Sequence, residues 1–229
     1  VLGQVISRLA ADGLTPVAAV ELEFYLLDIS GPRPDAASGP VTGHRSKDIQ
    51  VYGLRAMEDF NPFFDDLYTA CDAQGLPLES GISEYAAGQF EFTLRHKADA
   101  LQAADDAVMY KRLVKGVAVR HGMEATFMAK PFGDRAGSGM HLHVSMNDEA
   151  GKNAFASEAP DGTPMLRHAI GGMKAALADS MAIFAPNANS YRRFRANSYA
   201  PVASTWGVNN RSVSLRVPAG APPTRHVEH

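Results

Sequence analysis

His141 and His143 stand two residues apart in MHLHVS, the segment from Met140 to Ser145. On a strand that spacing sends both imidazoles to the same face. The preceding loop, PFGDRAGSG, is glycine-rich, and Gly137 and Gly139 leave its backbone open to close approach by a small ligand. Carboxylates recur in similar settings. Glu21 and Glu23 alternate within AAVELEFYLLD, Glu91 lies in FEFTL with Glu84 a few residues earlier, and Glu228 lies in RHVEH. A solvated strand face accounts for an isolated Glu-x-Glu. An apolar-flanked carboxylate that is buried must instead be paired or bind a metal. Several such groups repel one another, and a divalent cation relieves the repulsion. Oxygen ligands with an occasional imidazole suit Mg²⁺ or Mn²⁺, and two such ions about 3.5–4 Å apart form the clamp used in phosphoryl transfer.

Arginines complete the chemically capable set. Arg192, Arg193 and Arg195 crowd one loop, and Arg211 and Arg216 flank SVSL. Guanidinium groups recognise carboxylates and phosphates with two parallel hydrogen bonds. For Arg192 and Arg195 a solvated basic loop is the simpler reading, whereas Arg216 interrupts the apolar run SLRVP. Spacing alone leaves two readings open: a two-metal, arginine-clamped phosphoryl-transfer site, or a set of solvated polar faces.

Positioning these groups requires a sheet. Strand patterns cover Val17–Asp28, Ile82–His96, Glu124–Met128, Met140–Met146 and Trp206–Val217, with a further strand at RHVEH. Helical spacing covers Val1–Ala11, Met57–Gln74, Ala98–His121 and Thr163–Phe184, the last weakened at Gly171-Gly172. Ser30–Ser46 reads as a surface loop or flap and Ala185–Ser204 as a loop. Several neighbouring strands close in sequence, interspersed with helices, predict an α+β fold. The 229 residues, 45% hydrophobic, suffice for one substantial core, alone or with an appendage. A net charge of −3 gives no electrostatic reason to expect nucleic acid or an anionic membrane as partner. Cys71 is the only cysteine, so no internal disulfide can form, which fits a reducing, cytoplasmic setting. No uninterrupted apolar run is long enough to span a bilayer. Val1 falls inside a helical pattern and His229 inside a strand pattern, so the sequence reads as part of a longer protein.

The segments VELEFYLLD, SEYAAGQFEF, ATFMAKPFGDRAGSGMHLHVS, NSYRRFRANSYAP, NNRSVSLRVP and RHVEH resemble, in order, the catalytic domain of the glutamine synthetase family. YKRLVKGVAVRHGMEATFMAKP and DLYTACDAQGLPLES are closest to its γ-glutamylpolyamine synthetase branch. The resemblance implies a curved antiparallel sheet flanked by helices, with residues 1–229 forming part of the catalytic domain. The family's small N-terminal β-domain and its C-terminal end, with a further arginine, would lie outside the sequence, and the fragment alone is expected to be inactive. Glu23, Glu84 and Glu91 would hold the metal near the substrate carboxylate, and Glu21, His141 and Glu228 the metal that bridges the ATP phosphates. Glu79, His143 and Ser145 would contact the nucleotide. Arg193 and Arg216 would face the amino-acid carboxylate and the transferred phosphate, Arg211 the phosphates, and Gly137 would offer its backbone to glutamate.

The implied reaction phosphorylates the γ-carboxylate of glutamate with ATP, aided by two or more Mg²⁺ or Mn²⁺ ions. An amine then attacks the acyl phosphate. A homo-oligomeric ring is the implied assembly. Two positions depart from glutamine synthetase proper: Ala136 stands where an Asn helps hold glutamate, and Tyr199 where a Glu accepts a proton from ammonium. A phenol with an ordinary pKa of about 10 is a poor proton acceptor at neutral pH. The departures fall on the amine and amino-acid side, which favours a ligase for a polyamine or alkylamine. An ammonia-using enzyme and a non-catalytic homologue are the alternatives.

Overall fold

The computed structural model describes residues 1–196 and 198–229. The fold class is the expected α+β, with a curved, unclosed sheet flanked by helices. The chain divides into two compact units. One comprises Val1–Ala19, His96–Ala103 and His141–His229, the other Val20–Arg95 and Ala104–Met140.

In the unit that begins at Val20, strand β1 (Thr15–Asp28) is the organising element. It pairs antiparallel with β4 (Gln89–Leu94), Glu23 opposite Glu91, and with β5 (Glu124–Thr126) further on. Leu22 and Phe24 are buried, and Glu21 and Glu23 alternate with them on the half-buried face. A two-residue strand, β2 (Asp35–Ala36), pairs with the end of β1 and buries Ala36 and Ala37. Part of the expected flap is thus docked. Val20–Arg95 also corrects two other expectations. The single helix expected over Met57–Gln74 is split into α2 (Leu54–Asp59) and α3 (Asn61–Gln74). Pro62 lacks an N–H and is accommodated in the first turn of α3 rather than inside a longer helix. The strand expected over Ile82–His96 is a hairpin, β3 (Leu78–Ser83) and β4, with Glu84 in the connection.

The core of this unit is aromatic. Phe24 lies 5.4–6.4 Å, between ring centres, from Phe63, Phe90, Phe92 and Phe127, and Phe64 lies 5.0 Å from Phe90. Each ring contributes roughly 1.5–3 kcal/mol through burial. Helix α4 (Ala100–Arg120) buries Tyr110, Val114 and Ala118. Cys71 is fully buried, and burial pushes its thiol up to about 12, so it packs as a small hydrophobe.

In the other unit, helix α1 (Leu2–Ala11) ends where expected, at Asp12 and the left-handed Gly13. Strand β6 (Met140–Asn147) pairs with β9 (Val227–Glu228), which pairs with β8 (Leu215–Val217). The strand expected over Trp206–Val217 is two short strands, β7 (Trp206–Val208) and β8, running parallel. Three-residue strands are short enough for residues 209–214 to return the chain, and Asn209 assists by taking a left-handed φ of 49°. Helix α5 (Pro164–Phe184) runs unbroken through Gly171-Gly172, with the Thr163 side chain capping its start. The expected loop over Ala185–Ser204 contains the short helix α6 (Ala188–Tyr191). Phe155, Leu166, Ile170, Leu215, Val217 and Val227 form this unit's core.

Gly81 supplies a test of the aromatic core. It pairs with Phe92 across β3 and β4, and a methyl group there would sit 2.3 Å from the Phe92 ring. Gly81→Ala should therefore cost about 1–3 kcal/mol through overpacking, read as a lower unfolding midpoint of the full-length protein. Gly116→Ala, in open space on α4, should be neutral or stabilising by about 0.5–1 kcal/mol. Equal midpoints for the two variants would exclude this packing account.

Candidate active site

The cross-strand pairing of Glu23 with Glu91 places two half-buried carboxylates side by side. The turn after β3 delivers a third. Glu23, Glu84 and Glu91 each offer an oxygen within 4.8 Å of the others, and Glu21 likewise approaches Glu91. Thr93 donates to Glu21 Oε1 at 3.4 Å, and the Tyr85 amide to Glu84 at 3.0 Å. Three carboxylates at such separations suit a hard divalent cation, which would offset their repulsion and favour oxygen ligands.

A pinned glycine loop borders this trio. The Gly139 amide donates to Glu23 Oε2 at 2.9 Å, and the Glu23 amide donates back to the Gly139 carbonyl at 3.1 Å. Gln89, wholly buried, donates from Nε2 to Glu23 Oε2 at 3.2 Å and to the Gly137 carbonyl at 2.9 Å, and accepts from the Ala86 amide. The Tyr25 hydroxyl donates to the Ala136 carbonyl at 2.7 Å, and its ring packs edge-on against Phe132. Burial raises the Tyr25 pKa, keeping the phenol a donor. Sequence reasoning missed both Gln89 and Tyr25. The available signal was a lone amide opening the apolar run QFEF and a hydroxyl within EFYLLD.

The segment after β1 is tied to the same loop by charge. Arg45 pairs with Asp28 and Asp35, and Arg135, stacked 4.1 Å over Phe132, pairs with Asp35 at 2.5 Å. The Arg135 hydrogen bond holds the Asp35 carboxyl below its usual range. Hydrogen bonds from Ser30, with Arg45 adding to them, do the same for Asp28.

The remaining expected residues are placed as follows. Glu79 is exposed at the β-bulge of β3, the extra residue between the pairs Leu78–Leu94 and Ser80–Thr93. In the unit containing β6, His141 is half-buried while His143 and Ser145 are buried. Glu228 is also buried, opposite His143 on β9, and accepts both Nε (2.9 Å) and a terminal nitrogen of Arg216. Arg193 is half-buried in the turn after α6, its carbonyl accepting from Ser198 at 2.8 Å. Arg211 is exposed in the connection between β7 and β8 rather than beside a strand SVSL. Tyr199 is exposed, with a left-handed φ of 58°.

The family described as "Glutamine synthetase, catalytic domain" matches residues 1–229. The chain is 41% identical to gamma-glutamylputrescine synthetase PuuA of Escherichia coli K12, covering 100% of this chain and 49% of that protein. It is 36% identical to a glutamate–isopropylamine ligase of Pseudomonas sp., covering 93% and 46% respectively. A solved structure described as a GmaS/ADP complex superposes with a TM-score of 0.85 at 30% identity, over 99% of this chain and 52% of that one. The chain thus spans about half the length of the relatives it matches.

Two outcomes follow from this geometry. Tyr25→Phe should cost about 0.5–1.5 kcal/mol, and Gln89→Leu more, because it leaves the Gly137 carbonyl and Ala86 amide unsatisfied. Both should speed hydrogen exchange at Gly139, and unchanged exchange in Gln89→Leu would remove Gln89 as the loop's anchor. Acid should loosen the Asp35 tie. Depressed carboxyl pKa values stabilise above the ordinary value of about 3.9, and that contribution disappears as pH falls through the lower folded values. Limited acid proteolysis should accordingly cut within residues 30–46 first, and Arg135→Ala should make the same cuts appear at neutral pH.

Proposed function

We propose a function from one premise: this chain belongs to the glutamine synthetase family, through its catalytic domain. The whole protein would be an ATP-dependent carboxylate–amine ligase that joins the γ-carboxylate of glutamate to a polyamine or small alkylamine. The observation that carries the reading is the Glu23–Glu84–Glu91 trio, backed by a glycine loop held at Ala136, Gly137 and Gly139. The names of two of the relatives, a γ-glutamylputrescine synthetase and a glutamate–isopropylamine ligase, support an organic amine as acceptor.

A carboxylate is a poor electrophile because its leaving group would be oxide. In the proposed reaction a γ-carboxylate oxygen displaces ADP from the γ-phosphorus. The amine nitrogen then attacks the acyl carbon, phosphate departs with the C–O bond, and the nitrogen loses a proton. Glu23, Glu84 and Glu91 would hold a Mg²⁺ or Mn²⁺ ion, which supplies neutralising charge to the oxygen-rich transition state. Gln89 and the Gly139 amide orient Glu23 for that task. Gly137 would present its backbone to glutamate. Arg193 and Arg216 would face the amino-acid carboxylate and the phosphoryl group. Glu79, His143, Ser145 and Arg211 would face the nucleotide. A homo-oligomeric ring belongs to the same proposal.

Amine choice tests the reading. With Tyr199 where ammonium would be deprotonated, the full-length enzyme should show a larger kcat/KM for an alkylamine or polyamine than for ammonium at one pH, followed by ADP release. Contacts along the amine chain can be used to orient and desolvate its nitrogen. Tyr199→Glu should shift the ratio toward ammonium. A preference for ammonium over every amine tried would return the protein to glutamine synthetase proper. Arg216→Lys keeps the charge but loses the planar fork, and should lower turnover far more than ATP affinity.

A further inference from the structure

His226 is oriented in a way the ligase reading does not use. Its Nδ1 lies 2.7 Å from the Thr224 carbonyl oxygen. A carbonyl only accepts, so Nδ1 carries the proton and Nε2 presents a lone pair. That Nε2 accepts a hydrogen bond from His143 Nδ1 at 2.9 Å, so the two rings share one proton between them. His96 completes the group, its ring centre 5.7 Å from that of His143 and 5.3 Å from that of His226. One nitrogen from each of the three lies within 4.8 Å of the others. Backbone supports the arrangement: β6 carries His143, the residue before β9 is His226, and His96 precedes Lys97, whose amide and carbonyl both pair with Ala18.

We propose that His96, His143 and His226 form a binding site for a borderline-soft divalent transition metal of the Zn²⁺, Co²⁺ or Ni²⁺ class. Three neutral imidazoles suit these ions, whereas Mg²⁺ and Ca²⁺ prefer oxygen. The Thr224 carbonyl does for His226 what partners behind metal-bound histidines usually do: it fixes the tautomer and aims the ring. Metal–nitrogen bonds of about 2.0–2.1 Å in a tetrahedral site separate ligand nitrogens by somewhat more than 2.9 Å, so small ring rotations, with the His143 proton moving from Nδ1 to Nε2, would admit the ion. His96 is exposed and His143 buried, so the ion would enter from the His96 side and keep a fourth position for water or an anion. The proposal shares His143 with the residues that would face the nucleotide, but it uses none of the Glu23, Glu84 and Glu91 oxygens, so the carboxylate reading and the histidine site can fail separately.

The test is Co²⁺ titration of the full-length protein, read by equilibrium dialysis and visible absorption. Co²⁺ also occupies carboxylate sites, so the comparison is between variants. Wild type should bind one more equivalent per chain than His96→Ala, with the intense absorption of a tetrahedral nitrogen site. His226→Ala should lose the same equivalent, each substitution weakening that site by about 10-fold or more. Glu84→Gln should leave that absorption in place. His96→Cys should keep the equivalent and add a thiolate-to-cobalt charge-transfer band, which a merely structural role for His96 would not produce. Unchanged stoichiometry and spectrum in His96→Ala, or no charge-transfer band in His96→Cys, would overturn the assignment.

Discussion

The reciprocal pairing of Glu23 with Gly139 is the constraint on which the carboxylate site depends. One residue supplies a backbone N–H and a carboxylate, the other a carbonyl and an N–H, and the two bonds close a small ring between β1 and the glycine loop. A carboxylate beside two others is costly to hold in low dielectric. Two N–H donors on its Oε2, from Gly139 and Gln89, reduce that cost before any cation arrives. The same bonds hold the loop at the point where its backbone would meet a ligand. Orientation of the acid and order of the loop are therefore one structural fact.

Aromatic packing below the sheet is what lets the polar face stay polar. Glu21, Glu23, Glu91 and Thr93 share the half-buried face, while Leu22, Phe24, Phe90 and Phe92 are buried. Alternation of this kind is a strong one-dimensional signal, and it is why Glu21, Glu23 and Glu91 could be picked out from spacing alone. Helix ends at Gly75 and Gly122, both left-handed, were legible for a similar reason: the residue type matches a local backbone need. What failed to read correctly was interruption. Val17–Asp28 continued as one strand, but Ile82–His96 and Trp206–Val217 each broke in two, at Glu84–Gly88 and at residues 209–214. Strand propensity persists across a turn when flanking residues remain apolar, and pairing partners, which alone define the break, are remote in sequence.

The site divides along the same line. Glu21, Glu23, Glu91, His141 and His143 were visible because their types are unusual in apolar strands, whereas His96 and His226, just outside strands, were not. Nor were residues acting through others. Gln89 and Tyr25 matter through bonds to Gly137 and Ala136, 48 and 111 positions away, and no local pattern records them. Arg216 shows the intermediate case. Its place in an apolar strand marked it as special, yet its partner in the structure is the Glu228 carboxylate. A buried arginine–carboxylate pair is costly unless its geometry is good and its polar atoms are satisfied. Two donors on one oxygen meet part of that need and orient Glu228 at the same time.

Tyr199 and Ala136 would concern the amine and amino-acid side of the proposed reaction. Ala136 offers no side-chain donor, and its carbonyl is taken by Tyr25. The loop is thus ordered from beneath by a phenol whose burial keeps it protonated. Tyr199 adopts a left-handed backbone that a bulky residue seldom takes, and its ring is exposed. An exposed ring in that conformation has surrendered backbone comfort without gaining burial here. Under the proposed function the ring would be covered by the carbon chain of the arriving amine. A carboxylate at this position would serve proton transfer from a small cation; an aromatic ring serves contact with a longer one. Under the proposed function, the contrast between an acidic, oxygen-lined face and an aromatic, uncharged Tyr199 would separate activation of the acid from choice of the amine.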